Sequence, residues 1–410
     1  MFLYHLNEFR KAASIPAQNW TEANDLFLKW VGVDNPISNA VKASNEIIKR
    51  AALDSLHPSF GIRKIDVLVK GKTETAKVNE HILLKKSFCL LRHFKKRLES
   101  DTPLNQPKIL IVAPLSGHFS TLLRDTVKTC LQDFDVYITD WIDARLVPLK
   151  QGNFNLDNYV DYLLDFLEFL GPDVHVLAVC QPSVPVLMAT AILAENNKPC
   201  PASMILMGGP IDTRINPGQV NTFAQTHDLK WFERNLINSI PSYYPGAKRK
   251  VCPGFVMLNG FMLLNIDKHQ EASWNLFKNL IKGDDDKIEK HIKFYNEYRA
   301  VMDVPADYFL DSINHVFQEF SLARGKMPWK GTVIKPAAIT STKLLTIEGE
   351  FDDISPLGQT KAAHDLCPNI PKKFKDHYAQ KGVGHYGIFN GSRWRTIIYP
   401  QIVEFCLKKH

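Results

Sequence analysis

HVLAVCQPSVPVLMATAILAE, residues 175–195, places a short continuous apolar run directly before a longer run of small and aliphatic residues. The first run, starting at Val174, has the length and β-branched content of a buried strand. The second is long enough for a helix. Cys180 sits at the junction, and Pro182 suits the first turn of a helix, where a missing N–H would be unpaired anyway. Pro185 still falls near that turn, so the helix can run on through Leu187 and Ala191. A strand feeding straight into a helix, with a cysteine at the join, is the unit from which the remaining sequence can be read.

Similar units flank it. Short apolar strands are predicted at Lys108–Ala113, Asp135–Thr139, Ser203–Met207 and Lys343–Ile347, besides Val174–Val179. Between the second and third strands, Leu156, Tyr159, Val160, Leu163, Leu164 and Leu167 recur at helical spacing, and Gly171-Pro172 stops that helix. Continuous apolar strands alternating with helices predict a mostly parallel sheet with helices on both faces, an α/β fold. Upstream, Lys64–Lys70, Thr73–Val78 and Ser87–Phe94 read as an antiparallel start to the sheet. Residues 1–55 read as helical, with Phe27, Trp30 and Val31 at three- and four-residue spacings. The alternation breaks from Thr213 to Lys335, a stretch carrying Trp231, Trp274, Trp329, Tyr295, Tyr298, Tyr308 and Phe309 and far longer than a crossover requires. The organisation expected is an N-terminal helical segment (1–55), a core (56–212 and 336–410) and a helical cap inserted at 213–335 over the carboxyl edge of the sheet. The other reading of that insertion is a separate helical domain with no role at the site.

Composition narrows the function classes. Of 410 residues, 45% are hydrophobic and 23% charged, which describes an ordinary globular protein. No apolar run reaches membrane-spanning length, and Glu8, Arg10 and Lys11 interrupt the opening MFLYHLNEFRKAA before a signal-peptide core can form, so a soluble, cytoplasmic protein is expected. The net charge of +7 is mild, and the basic runs are short and scattered, against a nucleic-acid partner. The seven cysteines are odd in number with no C-x-x-C pair, against a disulfide framework or a zinc site.

Ligands of open parallel sheets collect beyond the carboxyl ends of the strands, and three polar clusters fall there. Cys180 occupies the place of a nucleophile elbow, with Ala178 and Pro182 where the usual motif has glycines. A helix N-terminus and a histidine would favour its thiolate; on position alone it is equally well a buried structural cysteine. LLTIEGEFDDISP (344–356) supplies Asp352 in a G-x-x-D-x-x-x-P pattern, suited to orienting a histidine, with Asp353 and the more distant Asp212 as competitors. It could instead be a turn aspartate capping a helix. QKGVGHYGIFNGSRWR (380–395) supplies His385 in a glycine-rich loop, followed by a terminal amphipathic helix from near Ser392. Nucleophile, acid and histidine thus follow in the order of an α/β-hydrolase fold. For the oxyanion, the N–H of Gln181 is one candidate donor. The loop Pro114-Leu115-Ser116-Gly117-His118 supplies the other, with Ser116 preferred over Leu115 or Gly117 and His118 facing the pocket.

With these residues identified, the sequence resembles the intracellular polyhydroxyalkanoate depolymerases, which degrade poly(3-hydroxybutyrate) granules. The stretches that carry the resemblance are APLSGHFSTLLRDTV, AVCQPSVPVL, LMGGPIDTR, YRAVMDVPADYFL, IEGEFDDISPLGQTKAAH and VGHYGIFNGSRWR, together with the opening MFLYHLNEFRKAA. The resemblance implies an α/β-hydrolase fold with a Cys180–Asp352–His385 triad, a polyester substrate and residence on storage granules. Cleavage by such a triad requires neither metal nor organic cofactor, although coenzyme A could accept the acyl group from a thioester. The alternatives are a polyester synthase using the same triad, a small-ester or thioester hydrolase and, from a different class, a granule-coating protein with a decayed triad.

Overall fold

The computed structural model describes residues 2–31, 36–52, 57–100, 103–264 and 266–408. Its centre is a nine-stranded sheet. In chain order the strands are β1 (Lys64–Val69), β2 (Lys72–Lys85), β3 (Cys89–Leu98), β4 (Lys108–Val112), β5 (Asp135–Trp141), β6 (His175–Val179), β7 (Ser203–Met207), β8 (Lys343–Gly349) and β9 (Lys375–Gln380). In space they lie in the order β1-β2-β3-β5-β4-β6-β7-β8-β9. Pairing is antiparallel from β1 through β3 to β5 and parallel everywhere from β5 to β9. This is a mostly parallel α/β-hydrolase sheet.

The sequence dictates this arrangement locally. In β6 and β7 every residue is buried, as a strand covered on both faces requires. From β4 the chain passes to β5 on one side and then returns to β6 on the other. That reversal opens a crevice between the loops that follow β4 and β6. Two helices (α1, Phe2–Val31, and α2, Pro36–Ala52) precede the sheet, and α2 packs against a helix of the 213–335 segment. Helix α3 (Leu156–Leu170) starts on a capping box in which Asn155 and Asn158 bond each other's backbone N–H groups. Helix α4 (Ser183–Glu195) is buried continuously from Ser183 to Leu193, the mark of a helix enclosed on all sides.

Between β7 and β8 lie, among others, α5 (Gly254–Leu264), α6 (Ile266–Lys282), α7 (Asp285–Arg299) and α8 (Ala306–Ser312). The segment is not wholly helical. Residues 238–239, 250–252 and 304–305 pair as a small antiparallel sheet, and 328–329 pair with 332–333. Strands of two or three residues leave no periodic trace to read. Strand β9 also escaped the sequence reading: it is an edge strand of sequence KDHYAQ, mostly exposed or half-buried, with no apolar run to betray it. The boundary set near residue 55 lies outside the described residues. Among the described residues no helix is long and apolar enough to cross a membrane.

Candidate active site

Cys180 follows β6 at the mouth of the crevice, with φ at +68°. A side-chain-bearing residue in this left-handed region is strained by roughly 1–2 kcal/mol. The neighbours fix it there: its N–H donates to the Met207 carbonyl at 2.7 Å, and its own carbonyl accepts from the Ser183 N–H at 3.0 Å. The tight turn points the thiol away from the sheet and into a cavity of about 510 Å3. Two glycines after β7 make room for it. A Cβ on Gly209 would lie 2.1 Å from Ser183 Oγ and 3.1 Å from the Cys180 carbonyl. Gly208, at φ +54°, lets the chain pass so close to the site that a Cβ would lie 3.1 Å from Asp352 Oδ2 and 3.2 Å from His385 Cε1.

Asp352 stands in the loop after β8. Its Oδ1 accepts the N–H groups of Ile354 (2.9 Å) and Ser355 (2.8 Å), which fixes the carboxylate and leaves Oδ2 for His385 Nδ1 at 2.8 Å. The competing aspartates are engaged elsewhere. Asp212 forms a two-pronged pair with Arg214, and the more exposed Asp353 faces Lys268 at 3.5 Å. A carboxylate that attracted no notice in the sequence, Glu348, is buried at the end of β8. It accepts the N–H groups of Gly358, Thr360 and Lys361, and so ties down the chain beyond Asp352. The N–H of Phe351 donates to the Val383 carbonyl at 2.9 Å, joining the acid loop to the histidine loop.

His385 begins a short turn after β9 and is buried between the ring edges of Tyr386 and Phe389. Burial alone would depress its pKa; the charges of Asp352 and Cys180, together with hydrogen bonds to both, outweigh burial and hold it well above the ordinary histidine value. An imidazole that is hydrogen-bonded on Nδ1 and prefers the cation is suited to accept a proton from a neighbouring thiol and to pass it on.

Gln181, Leu115 and Ser116 line the same cavity as Cys180 and His385. Among the described residues, no acceptor is found for the N–H of any of the three. His118 also borders the cavity, but its Nε2 is committed to the Tyr298 carbonyl at 3.0 Å and its backbone pairs with Val301. It clamps the loop after β4 to the 213–335 segment. A second, more open cavity of about 910 Å3 meets the first at Phe261, Ile354, His385 and Tyr386, and carries Lys268, Lys290 and His291 on its outer wall. The sequence reading had singled out none of Gly208, Gly209, Gln181's side chain or Ser312 as part of this site. The signal for the glycines was the Gly-Gly pair directly at a strand end.

The model of a known family, described as PHB de-polymerase C-terminus, matches residues 208–410. The match includes Asp352 and His385 and begins after Cys180. Comparison with curated proteins gives no significant match. Among solved structures, the chain is similar to an epoxide hydrolase from Bacillus megaterium, with 13% identity over 79% of this chain and 99% of that one and a TM-score of 0.46. It is also similar to a thermophilic esterase from Thermogutta terrifontis, with 12% identity over 83% and 98% and a TM-score of 0.40. A third similar structure is the 2-hydroxy-6-oxo-6-phenylhexa-2,4-dienoate hydrolase of a Rhodococcus species, with 12% identity over 80% and 99% and a TM-score of 0.41. Over residues 208–410 the chain thus belongs to the PHB de-polymerase family, hydrolases of carboxylic ester bonds, and it carries an α/β-hydrolase sheet.

Proposed function

We propose that this chain cleaves the ester bonds of poly(3-hydroxybutyrate) through a covalent thioester on Cys180, with His385 as the proton carrier and Asp352 as its anchor. The observation that carries the reading is the His385 Nδ1–Asp352 Oδ2 contact at 2.8 Å, against the cavity into which the left-handed turn presents Cys180. In the first half-reaction His385 takes the thiol proton and the sulfur attacks the ester carbonyl. The N–H of Gln181 and one from the Ser116 loop receive the oxyanion. His385 then returns the proton to the departing alcohol end of the chain. In the second, water loses a proton to His385 and its oxygen adds to the thioester. Collapse releases 3-hydroxybutyrate or a short oligomer, and the thiolate regains its proton. A thiol such as that of coenzyme A is the other acceptor that a thioester allows. The residues supply every step, so the reading invokes no metal or organic cofactor.

The apolar cavity suits an aliphatic polyester chain, and the 213–335 segment, read as a cap, supplies most of its far wall. Exposed Phe9, Trp20 and Leu26 on α1 and Trp274 on α6 support contact with an insoluble polymer surface, hence residence on storage granules. The test is mass spectrometry of the protein mixed with amorphous polymer. A 3-hydroxyacyl mass on the peptide containing Cys180, and loss of acid release in Cys180→Ala, are expected. Undiminished release by Cys180→Ala would refute the assignment.

A further inference from the structure

Beside Cys180 the cavity is not purely apolar. Tyr308, on α8, is buried with 1% of its surface exposed, and its ring stacks on Tyr159 at 5.4 Å and 19°. Its hydroxyl oxygen lies within reach of the Gln181 amide and the Ser312 hydroxyl, both of which act on it, yet it forms no well-aligned hydrogen bond with either. Gln181 Oε1 is likewise enclosed and without a partner, while Gln181 Nε2 donates to Ser312 Oγ at 3.2 Å. Ser312 Oγ in turn donates to the Tyr308 carbonyl at 2.8 Å. One enclosed donor with no well-aligned partner and one enclosed acceptor with none therefore stand in the cavity that holds Cys180. Buried polar groups are almost always paired, and an unmet pair costs free energy until something fills it. Burial holds the Tyr308 hydroxyl far above the ordinary tyrosine pKa, so it remains a donor.

Resting on the reading of Cys180 as the acylated residue, we propose that Tyr308 and the side chain of Gln181 recognise the oxygen on C3 of the acyl group, making them specificity-determining residues for 3-oxygenated over plain alkanoyl chains. Once the carbonyl oxygen enters the oxyanion site, the C3 oxygen is the nearest polar atom left on such an acyl group. In the interior of the polymer it is an ester oxygen, an acceptor that Tyr308 O–H can meet. At the hydroxyl end of the chain it is a free hydroxyl, which can also donate to Gln181 Oε1. A butyryl group has neither and leaves both protein atoms unpaired, the situation in which a site rejects an analogue most strongly.

The test compares kcat/KM of the full chain for the p-nitrophenyl esters of butyrate, 3-hydroxybutyrate and 3-methoxybutyrate. The wild type is expected to favour both oxygenated esters over butyrate by about tenfold, and Tyr308→Phe to lower both preferences by about 5- to 10-fold, as loss of one neutral hydrogen bond implies. The methoxy ester isolates Tyr308, because it can accept but not donate. An equal effect of Tyr308→Phe on all three esters makes the tyrosine merely structural and overturns the proposal, as does a wild type that shows no preference. Should the variant not fold, 3-hydroxybutyramide must still compete with the wild type several-fold better than butyramide; equal competition overturns the proposal. Failure of the wild type to turn over any ester counts against the hydrolase reading, while the amide competition still tests the subsite by itself.

Discussion

Acidification should loosen the joint at His118, and the size of the effect can be worked out. The ring is buried, and burial pushes its pKa down to about 4, opposed only by the Tyr298 carbonyl that Nε2 contacts. In the unfolded chain a histidine titrates near about 6.5. Between these two values the unfolded state binds the extra proton, so stability falls as the pH falls through the window and levels off below about pH 4. At about 1.4 kcal/mol per pH unit the gap is worth about 3 kcal/mol, and about 2 kcal/mol of it is lost by pH 4.5. That is a large share of an ordinary domain's stability. His385, held above its ordinary value, stabilises the fold fully below about pH 6.5 and loses this only as the pH rises through its raised pKa, so it does not obscure the acid window. His118→Gln keeps an N–H near the Nε2 position and removes the titration. Urea unfolding of both proteins at about pH 7 and about pH 4.5 should show the wild type losing about 2 kcal/mol more than the variant. His175 and His364, also pushed down to about 4, contribute equally to both proteins and cancel in the comparison. Equal losses in the two proteins would refute the reasoning.

Two further perturbations test how the site is held. Gly208→Ala would bring a Cβ within 2.7 Å of Ile388 Cδ1 and just over 3 Å from Asp352 and His385, at a φ of +54°. It should cost roughly 1–3 kcal/mol in thermal or urea unfolding and lower kcat on a soluble ester at least about tenfold, because the imidazole must move; a fully active variant would show the contact to be slack. Tyr4, buried on α1, hydrogen-bonds Asp303, a buried carboxylate that burial and Asp143 raise to about 6. Tyr4→Phe should therefore destabilise the protein by about 1–3 kcal/mol in urea unfolding, as expected for a buried acceptor that loses its donor.

How much was legible in the sequence follows from what each residue shows its neighbours in the chain. Strands β4, β6 and β7 announced themselves because burial on both faces forces continuous apolar runs. β9 did not, because an edge strand needs only one partner and can remain half-polar, and the two-residue strands within 213–335 had no room for a pattern. Cys180, Asp352 and His385 could be named since each ends or follows a stretch whose character changes abruptly. The G-x-x-D-x-x-x-P spacing favoured Asp352 but left Asp353 and Asp212 as competitors. What separates the three is Arg214 occupying Asp212, Lys268 facing Asp353 and two backbone N–H groups aiming Asp352, all of them contacts made in space. Tyr308 lies well over a hundred residues from Cys180 in the chain, and only the folded return of α8 brings them to one cavity.

The end of β7 explains why three such distant stretches share one geometry. The Met207 carbonyl accepts the N–H of Cys180, which sets the elbow's strained turn. One residue later, Gly208 donates to the Ile347 carbonyl of β8 and packs directly against Asp352 and His385. The next, Gly209, lies against Ser183 at the start of α4, and both its N–H and its carbonyl are bonded to the Thr360 hydroxyl beyond the acid loop. Cys180, Asp352 and His385 are thus positioned against the same three residues of a central, fully buried strand end. A strained cysteine at φ +68° can persist because the structure around it is over-determined from both sides. A site of this kind has its tolerance set by the strand end, so small side-chain additions at 208 and 209 should be felt more sharply than larger changes along the apolar cavity wall.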